Sequence, residues 1–196
     1  MSKVYIFIGR SGCGKGTQSK LLQDYVRAQG AQDIYSYEGG QHFREFIKGN
    51  TYTQGVSKRI YEEGGLQPEF ISILQWANAL NVHFTGKEVL FIDGSPRRWD
   101  EAKVFDSAFE FYDLRNITII HPHVSREWSE KHLRGRGRAD DSDEYIRKRL
   151  DWFETEVVPV IEYYRDHRDH HFVEVNGEQS IEAVHEDIKK RLASSV

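Results

Sequence analysis

The segment Gly9-Arg-Ser-Gly-Cys-Gly-Lys-Gly-Thr17 follows a short apolar run, Val4 to Ile8, and precedes a stretch of helical periodicity. This context turns a glycine string into a phosphate site. A strand delivers the chain to a tight loop, and glycine lets the backbone curl round an anion without Cβ clashes. The N–H groups of the loop and of the first helical turn then face phosphate oxygens. Lys15 adds a mobile charge for the outer phosphates, and the spacing Gly-x4-Gly-Lys from Gly9 to Lys15 fits a P-loop. One position departs from the general pattern: Gly16 stands where Ser or Thr usually follows the lysine, with Thr17 one place later.

The rest of the chain fits a parallel α/β fold. Strand-like apolar runs at Val4–Ile8, Ile34–Tyr37, Val89–Ile92, Ile117–Ile120 and Phe172–Val175 alternate with helical patterns. Strands covered on both faces read as continuous apolar runs. The expected fold is a P-loop NTPase-type, doubly wound parallel sheet of about five strands, with helices on both faces. Its ligands lie beyond the carboxyl ends of the strands.

Helices are expected over Lys15–Ala28, closed by Gly30, and over Gln41–Lys48, Thr53–Glu63 and Pro68–Phe84. Further helices are expected over Arg97–Tyr112 and Ser125–Leu133, and over Ser142–His167 with a bend at Pro159. Ser180 caps the last helix. In the Pro68–Phe84 helix, Phe70, Leu74, Ala77 and Leu80 are expected to face inward. Segments 38–64 and 134–141 contain no strand pattern and read as inserts on a core of 1–37, 65–133 and 142–196.

Net charge is −4, which argues against nonspecific nucleic-acid binding. Yet Lys131, Arg134, Arg136 and Arg138 fall close together with no acid among them, a local patch suited to a small polyanion. The longest apolar run is too short to span a membrane. Met1-Ser2-Lys3 runs straight into the first strand, so a secretion leader is not expected. The single cysteine, Cys13, excludes an internal disulfide and a Cys-based zinc site, and fits a reducing, cytoplasmic setting. Cys13 itself reads either as a small residue filling the loop or as a thiol activated near a helix N-terminus.

Asp93-Gly94-Ser95-Pro96-Arg97 follows a buried strand. A carboxylate there is placed to order Mg²⁺, through water, beside the loop phosphates. Arginines accumulate in similar contexts. Arg44 follows Gly39-Gly40, Arg97 follows the strand end, Arg136 and Arg138 sit in the basic glycine segment before Asp140-Asp141, and Arg149 follows on the next helix.

Taken together these motifs resemble the adenylate kinases and related nucleoside monophosphate kinases. Gly-Lys-Gly-Thr-Gln at 14–18 is their form of P-loop, and Asp93-Gly-x-Pro-Arg97 is similar to their Asp-Gly-(Phe/Tyr)-Pro-Arg. Arg136-Gly-Arg-Ala-Asp-Asp141 resembles their lid in its short, zinc-free form, and Gly65-Leu-Gln-Pro68 their Gly-x-Leu-Val-Pro.

The resemblance implies roles by position. Gly12, Cys13, Gly14, Lys15, Gly16 and Thr17 would hold the phosphates of ATP, with Arg136 reaching ATP, and His132 and Gly177 beside its base. Gly39, Arg44, Gly65, Leu66, Gln67, Gly94, Arg97, Glu101, Arg138 and Arg149 would hold AMP. Lys15, Arg97, Arg136, Arg138 and Arg149 would act on the phosphoryl in flight. The residues 38–64 would be a mobile monophosphate-binding insert and 134–141 the lid. It implies a monomeric enzyme with Mg²⁺, no structural zinc, and no nucleic-acid or membrane partner.

The acceptor pocket departs from the family. Gly39 replaces a threonine and Glu101 a glutamine. An ionised glutamate only accepts hydrogen bonds, whereas an amide also donates. Kinases for GMP, CMP or UMP therefore stay open beside one for AMP, as does a nucleotide-binding module without turnover. His132 stands where a family arginine stacks on the ATP base, and Arg10-Ser11 replaces the P-loop proline. Trp99 reads as a packing residue or as a cover for the acceptor base. His121 and His123 read as structural residues after a strand, and His167, His170 and His171 as a solvated turn.

Overall fold

The computed structural model describes residues 3–31, 33–136 and 142–194, the side chain of Arg136 excepted. Its elements follow the expected alternation: β1 (Lys3–Phe7), α1 (Lys15–Ala28), β2 (Ile34–Glu38), α2 (Gly39–Phe46), α3 (Tyr52–Glu62), α4 (Glu69–His83), β3 (Val89–Asp93) and α5 (Trp99–Phe111). There follow β4 (Asn116–His123), α6 (Arg126–Arg136), α7 (Asp143–Trp152), a π turn (Phe153–Val157), α8 (Val158–Asp166), β5 (His170–Asn176) and α9 (Ile181–Ala193).

The five strands form one sheet in the order β2-β3-β1-β4-β5, with every pairing parallel. β1 lies at the centre. Its last residue, Phe7, stands opposite Asp93 of β3 and Ile120 of β4, and Glu38 of β2 also stands opposite Asp93. Three strand ends therefore meet where the chain enters the Gly9–Thr17 loop.

The apolar runs are buried on both faces, as parallel strands require. Val4 and Ile6 of β1, Leu90 and Ile92 of β3 and Ile117 and Ile119 of β4 pack with Trp76 of α4, Phe105 of α5 and Tyr164 of α8. Tyr5, Phe7, Phe91, Ile120 and Val173 point the other way, onto Leu22 of α1 and Val184 and Ile188 of α9. Trp76 and Phe105 stack at 4.0 Å at the heart of the first layer.

Local signals set several helix ends. Gly30 has φ 98° and closes α1: its N–H and that of Ala31 return to the carbonyls of Arg27 and Val26. Thr51 and Gln54 form a reciprocal capping box on α3, and Ser180 Oγ caps α9 by accepting from Ala183 N–H. The segment 38–64 contributes the end of β2 and the helices α2 and α3. Of the segment 134–141, residues 137–141 lie outside the described ones, and with them Arg138, Asp140 and Asp141. Among the described residues, no helix is long and apolar enough to cross a membrane.

Three expectations need correction. In α4, Phe70 and Leu74 are 64% and 51% exposed, while Ile71, Trp76, Ala79 and Leu80 are buried. This helix is apolar almost all round, so its sequence offers two stripes of equal quality and the inward one is set by the sheet. The helix expected from Ser142 to His167 is two helices joined by the π turn, in which Val158 N–H reaches back to Phe153 O. Pro159, with no N–H, stands two residues after its end, in the first turn of α8.

β4 runs on through His121 and His123 rather than stopping at Ile120, because β5 pairs with it up to His123↔Asn176. β1 pairs with β4 only as far as Ile120. Pro122 thus lies where β4 has one neighbour, and a missing N–H is tolerated there.

Candidate active site

The loop after β1 is built as an anion cradle. Gly12 and Gly14 have φ near +86° and +87°, a region L side chains enter only with strain. A Cβ on Gly12 would also lie 3.2 Å from both Leu133 Cγ and the Ser129 carbonyl. Gly14 is the N-cap of α1, so the free N–H groups of that helix open into the loop. Lys15 Nζ donates to the carbonyls of Gly9 (2.7 Å) and Arg10 (2.9 Å), and its ammonium lies 3.6 Å from Cys13 Sγ. Cys13 is buried, which fits its reading as a small residue filling the loop.

Asp93 closes β3 on the neighbouring strand. A Cβ placed on Gly16 would lie 3.4 Å from Asp93 Oδ2, so the carboxylate faces the first turn of α1. A hard carboxylate oxygen beside a phosphate cradle has the donor chemistry Mg²⁺ requires.

Arg97 is held on the same side. Its Nε donates to Gly94 O at 2.5 Å, and its guanidinium lies 5.8 Å from the ring centre of Trp152. Burial pulls the Arg97 pKa down, Glu101 and Asp93 support the charge, and Arg149 opposes it. Arg97 and Arg149 therefore point their charges into one space, an arrangement that a dianion would relieve.

Glu101, on the first turn of α5, is buried. Its Oε1 accepts from Ser72 Oγ (2.5 Å) and its Oε2 from Arg97 N–H (2.7 Å). Burial raises its pKa, against the pull of these bonds, a further one from Ser95 and the charge of Arg97. The carboxylate is thus already bonded to the wall that carries Arg97.

A single cleft of about 670 Å³ collects these groups. Its lining includes Gly12 to Thr17, Trp128, His132 and Gly177, with Asp93, Gly94, Arg97 and Arg149, and Gly39, Arg44, Gly65, Leu66, Gln67 and Glu101. Every candidate residue whose side chain is described faces this space. Nothing is said of the side chain of Arg136, and Arg138 lies outside the described residues.

The structure gives reasons for two of the departures noted in the sequence. A Cβ on Gly39 would stand 3.2 Å from Ser95 Oγ and 3.4 Å from Asp93 O; α2 approaches the turn after β3 closely, and a larger residue there needs the Ser95 hydroxyl to give way by a few tenths of an ångström. His132 stacks on Trp128 at 4.3 Å and 24°, and its Nδ1 lies 2.8 Å from Trp128 O. The sequence reading missed Trp128, although it stands one helical turn before His132 in α6. It also missed Ser72 and Trp152, for which the sequence carries no local signal. Trp99 does not face the cleft; it packs edge-on against Tyr163 at 4.7 Å.

His121 sits behind the loop. Its Nδ1 lies 2.9 Å from Ile8 O, and a carbonyl only accepts, so Nδ1 carries the proton. Burial lowers its pKa to about 4.

A second polar cluster lies at the far end of the sheet. Asp106 accepts from His170 Nε2 at 3.0 Å and from Tyr163 OH, and the rings of His167 and His170 stack at 4.0 Å and 9°. The His170 side chain is 5% exposed, so it belongs to the interior edge of β5 rather than to a solvated turn. His167 Nδ1 also accepts from Asp169 N–H (3.3 Å), which leaves its proton on Nε2. Asp106, His167 and His170 each bring one possible ligand atom within 4.8 Å of the others, and the contacts among them form a hydrogen-bond hub.

Comparison with known proteins gives one consistent result. The sequence pattern of the family described as adenylate kinase matches residues 7–169. An adenylate kinase of Oenococcus oeni is 27% identical over 99% of this chain and 100% of its own. One from Corynebacterium aurimucosum is 29% identical over 93% of this chain and 94% of its own. One from Mycobacterium tuberculosis is 30% identical over 82% and 85%.

Proposed function

The chain belongs to the adenylate kinase family and is an ATP-dependent nucleoside monophosphate phosphotransferase; we propose that AMP is its acceptor and that the cleft is its active site. The observation that carries this reading is the convergence of the P-loop, Asp93, Arg97, Arg149 and Arg44 on one space. A module that only bound ATP would have no use for Arg44 and Arg97 in addition to the P-loop.

In this reading Gly12 to Thr17 hold the ATP phosphates, and Arg136 reaches ATP from α6. His132 and Gly177 stand beside its base, with Trp128 backing His132. Gly39, Arg44, Gly65, Leu66, Gln67, Gly94 and Glu101 hold AMP. Lys15, Arg97, Arg136, Arg138 and Arg149 spread over the phosphoryl in flight. Two polyanions must meet head-on while charge disperses over three oxygens, so catalysis is alignment and electrostatic stabilisation. Arginine serves because its fork takes two oxygens and its charge is permanent. Mg²⁺, held by Asp93 through water, would neutralise phosphate charge during transfer. Segment 38–64 acts as the mobile monophosphate-binding insert and 134–141 as the short lid. Their closure excludes water, which would otherwise hydrolyse ATP. We also propose a cytoplasmic monomer that needs no zinc.

Glu101 already accepts from Ser72 Oγ on one carboxylate oxygen and from Arg97 N–H on the other, and as it lines the cleft its remaining lone pairs can still accept from the amino group of the acceptor base.

The test is phosphoryl transfer from ATP to AMP, GMP, CMP and UMP in parallel, with Mg²⁺ and with EDTA. Mg²⁺-dependent ADP formation with AMP strongly preferred is expected. Preference for another base would overturn the acceptor, and no transfer to any would overturn the enzyme.

A further inference from the structure

Arg10 replaces the proline usual in this loop, and nothing in the proposed chemistry uses it. Its main chain and its side chain do different things. The Arg10 carbonyl accepts from Lys15 Nζ (2.9 Å) and from Cys13 N–H (3.2 Å), so it forms part of the floor of the phosphate loop. Its side chain leaves the loop in the other direction. Nη1 donates to Glu154, Nε donates to Val124 O at 3.3 Å, and the guanidinium carbon lies 4.3 Å above the centre of the Phe153 ring. The side chain is 12% exposed.

Phe153 and Glu154 belong to the π turn. Arg149 and Trp152, immediately before it on α7, both line the cleft. A π turn carries an extra residue, and such turns are frequent at functional sites. The rotation of α7 about its axis, and hence the aim of Arg149, depends on how this turn is anchored. Val157, at its end, is buried in the core, and Phe153, at its start, lies under Arg10. A small cavity of about 30 Å³ lined by Gly9, Lys15, Arg97, Trp152 and Phe153 lies between the phosphate loop and the π turn.

We infer that Arg10 is a positioning residue: it ties the donor-phosphate loop to the π turn and so sets Arg149 against the P-loop. The inference rests on the kinase reading for its catalytic consequence, but the tie itself does not. Glu154 is 46% exposed, so the ion pair alone contributes little. The stacking on Phe153 and the bond to Val124 O make the guanidinium, rather than its charge alone, the working part. Because Arg10 acts on alignment, its loss falls on kcat more than on the KM for ATP. Small misplacements in such sites cost up to about a hundredfold in rate.

The experiment compares Arg10→Met, Arg10→Lys, Glu154→Gln and the Arg10→Met/Glu154→Gln pair with Asp106→Asn, a change at the opposite end of the sheet that is expected to lower the melting temperature as well, since Asp106 accepts from Tyr163 and His170. Arg10→Met is expected to lower kcat by about tenfold or more with the ATP KM within about threefold. Arg10→Lys should recover only part of the rate. The double variant should be no slower than Arg10→Met, and Asp106→Asn should keep its kcat at a temperature where all variants are folded. Arg10→Met within twofold of the wild-type kcat, or slowed no more than Asp106→Asn at equal loss of melting temperature, would overturn the inference. Amide exchange over residues 146–157 reads the tie without turnover. Arg10→Met should lose protection there even if the wild type transfers nothing, in which case the kinase reading fails alone. Unchanged protection would overturn the tie.

Discussion

Glu101 Oε1 and Ser72 Oγ stand 2.5 Å apart, joining α5 to α4 beneath the floor of the cleft. The other oxygen of Glu101 takes the Arg97 N–H at 2.7 Å. A charge is thereby buried in the wall that presents Arg97, at a place where the family carries a neutral amide.

Replacing Glu101 with glutamine should stabilise the protein. The amide oxygen can accept from Arg97 N–H while its NH₂ donates to Ser72 Oγ, so both bonds survive. Burial raises the pKa of Glu101 despite the attraction of Arg97, so the desolvation cost exceeds the gain from the pair. The sign follows. A raised folded-state pKa favours the native state below the unfolded pKa and penalises it as pH rises through the folded value. The advantage of Glu101→Gln over the wild type should therefore be small near pH 4 and largest at pH 8. It should be on the order of 1 kcal/mol there, or roughly 2–4 °C for a chain of this size. Thermal melts across that range check it, and an advantage that shrinks with rising pH would refute the account.

His121 predicts the opposite slope. Its pKa falls to about 4 from 6.5, chiefly by burial, with His123 and Lys15 adding to the fall and Ile8 O and Glu174 opposing it. Below pH 6.5 the unfolded chain takes the proton first, so stability is full above that value, declines as pH falls toward 4, and levels beneath it. The decline from this group alone is on the order of 3 kcal/mol. His121→Asn keeps a donor for Ile8 O and removes the titration. Urea unfolding at pH 7.5 and pH 4.5 should show a larger difference for the wild type than for the variant.

How far the site was legible follows from how local its parts are. The P-loop, Asp93 and Arg97 each sit within a few residues of a strand end, and short-range spacing expresses that position directly. Arg44 and Arg149 were tied to the same cleft chiefly by resemblance, since an arginine on a helix carries no sign of which way it points. Arg10, Ser72 and Trp152 act through partners far along the chain: Arg10 meets Glu154 across 144 positions. No local pattern reports such contacts. The phase of α4 was lost for a related reason, because an all-round apolar helix takes its inner face from what it packs on. Pro159 did mark a break, yet the wide turn before it depends on how Phe153 and Val157 seat in the core.

Gly177 is a place where size alone decides. A Cβ there would lie 2.6 Å from Val124 Cγ1 and 3.1 Å from His123 O, and the Gly177 N–H already bonds that carbonyl at 2.8 Å. Val124 is buried and cannot swing away. Gly177→Ala should lose about 1–3 kcal/mol and weaken ATP binding. Gly55 is the contrast: it lies inside α3 with nothing within 4 Å of its Cβ position. Gly55→Ala should gain about 0.5–1 kcal/mol from helix propensity. Paired thermal melts read both changes, and a common sign would mean that packing around Gly177 yields more readily than its contacts imply.

Arg97 separates stability from function most sharply. Its guanidinium is buried beside Arg149; burial and that neighbour work against its charge, while Glu101 and Asp93 support it. Removing it takes away a desolvated cation and a repulsion, at the cost of the bond from Nε to Gly94 O and of the counter-charge for Glu101 and Asp93. Arg97→Ala should therefore melt within a few degrees of the wild type without nucleotide. Added AMP should raise the melting temperature of the wild type, because its dianion relieves the Arg97–Arg149 repulsion, and should raise that of the variant much less. Phosphoryl transfer should fall by about 10³ or more, while ATP affinity measured without AMP stays within about threefold, since the P-loop is untouched. Arg97→Lys restores the charge but not the two-pronged fork, so it should recover only a small part of the rate. If Arg97→Ala instead melted several degrees lower and kept most of its transfer rate, the residue would be a structural tie between Gly94 and Glu101, and the acceptor phosphate would have to be held elsewhere in the cleft.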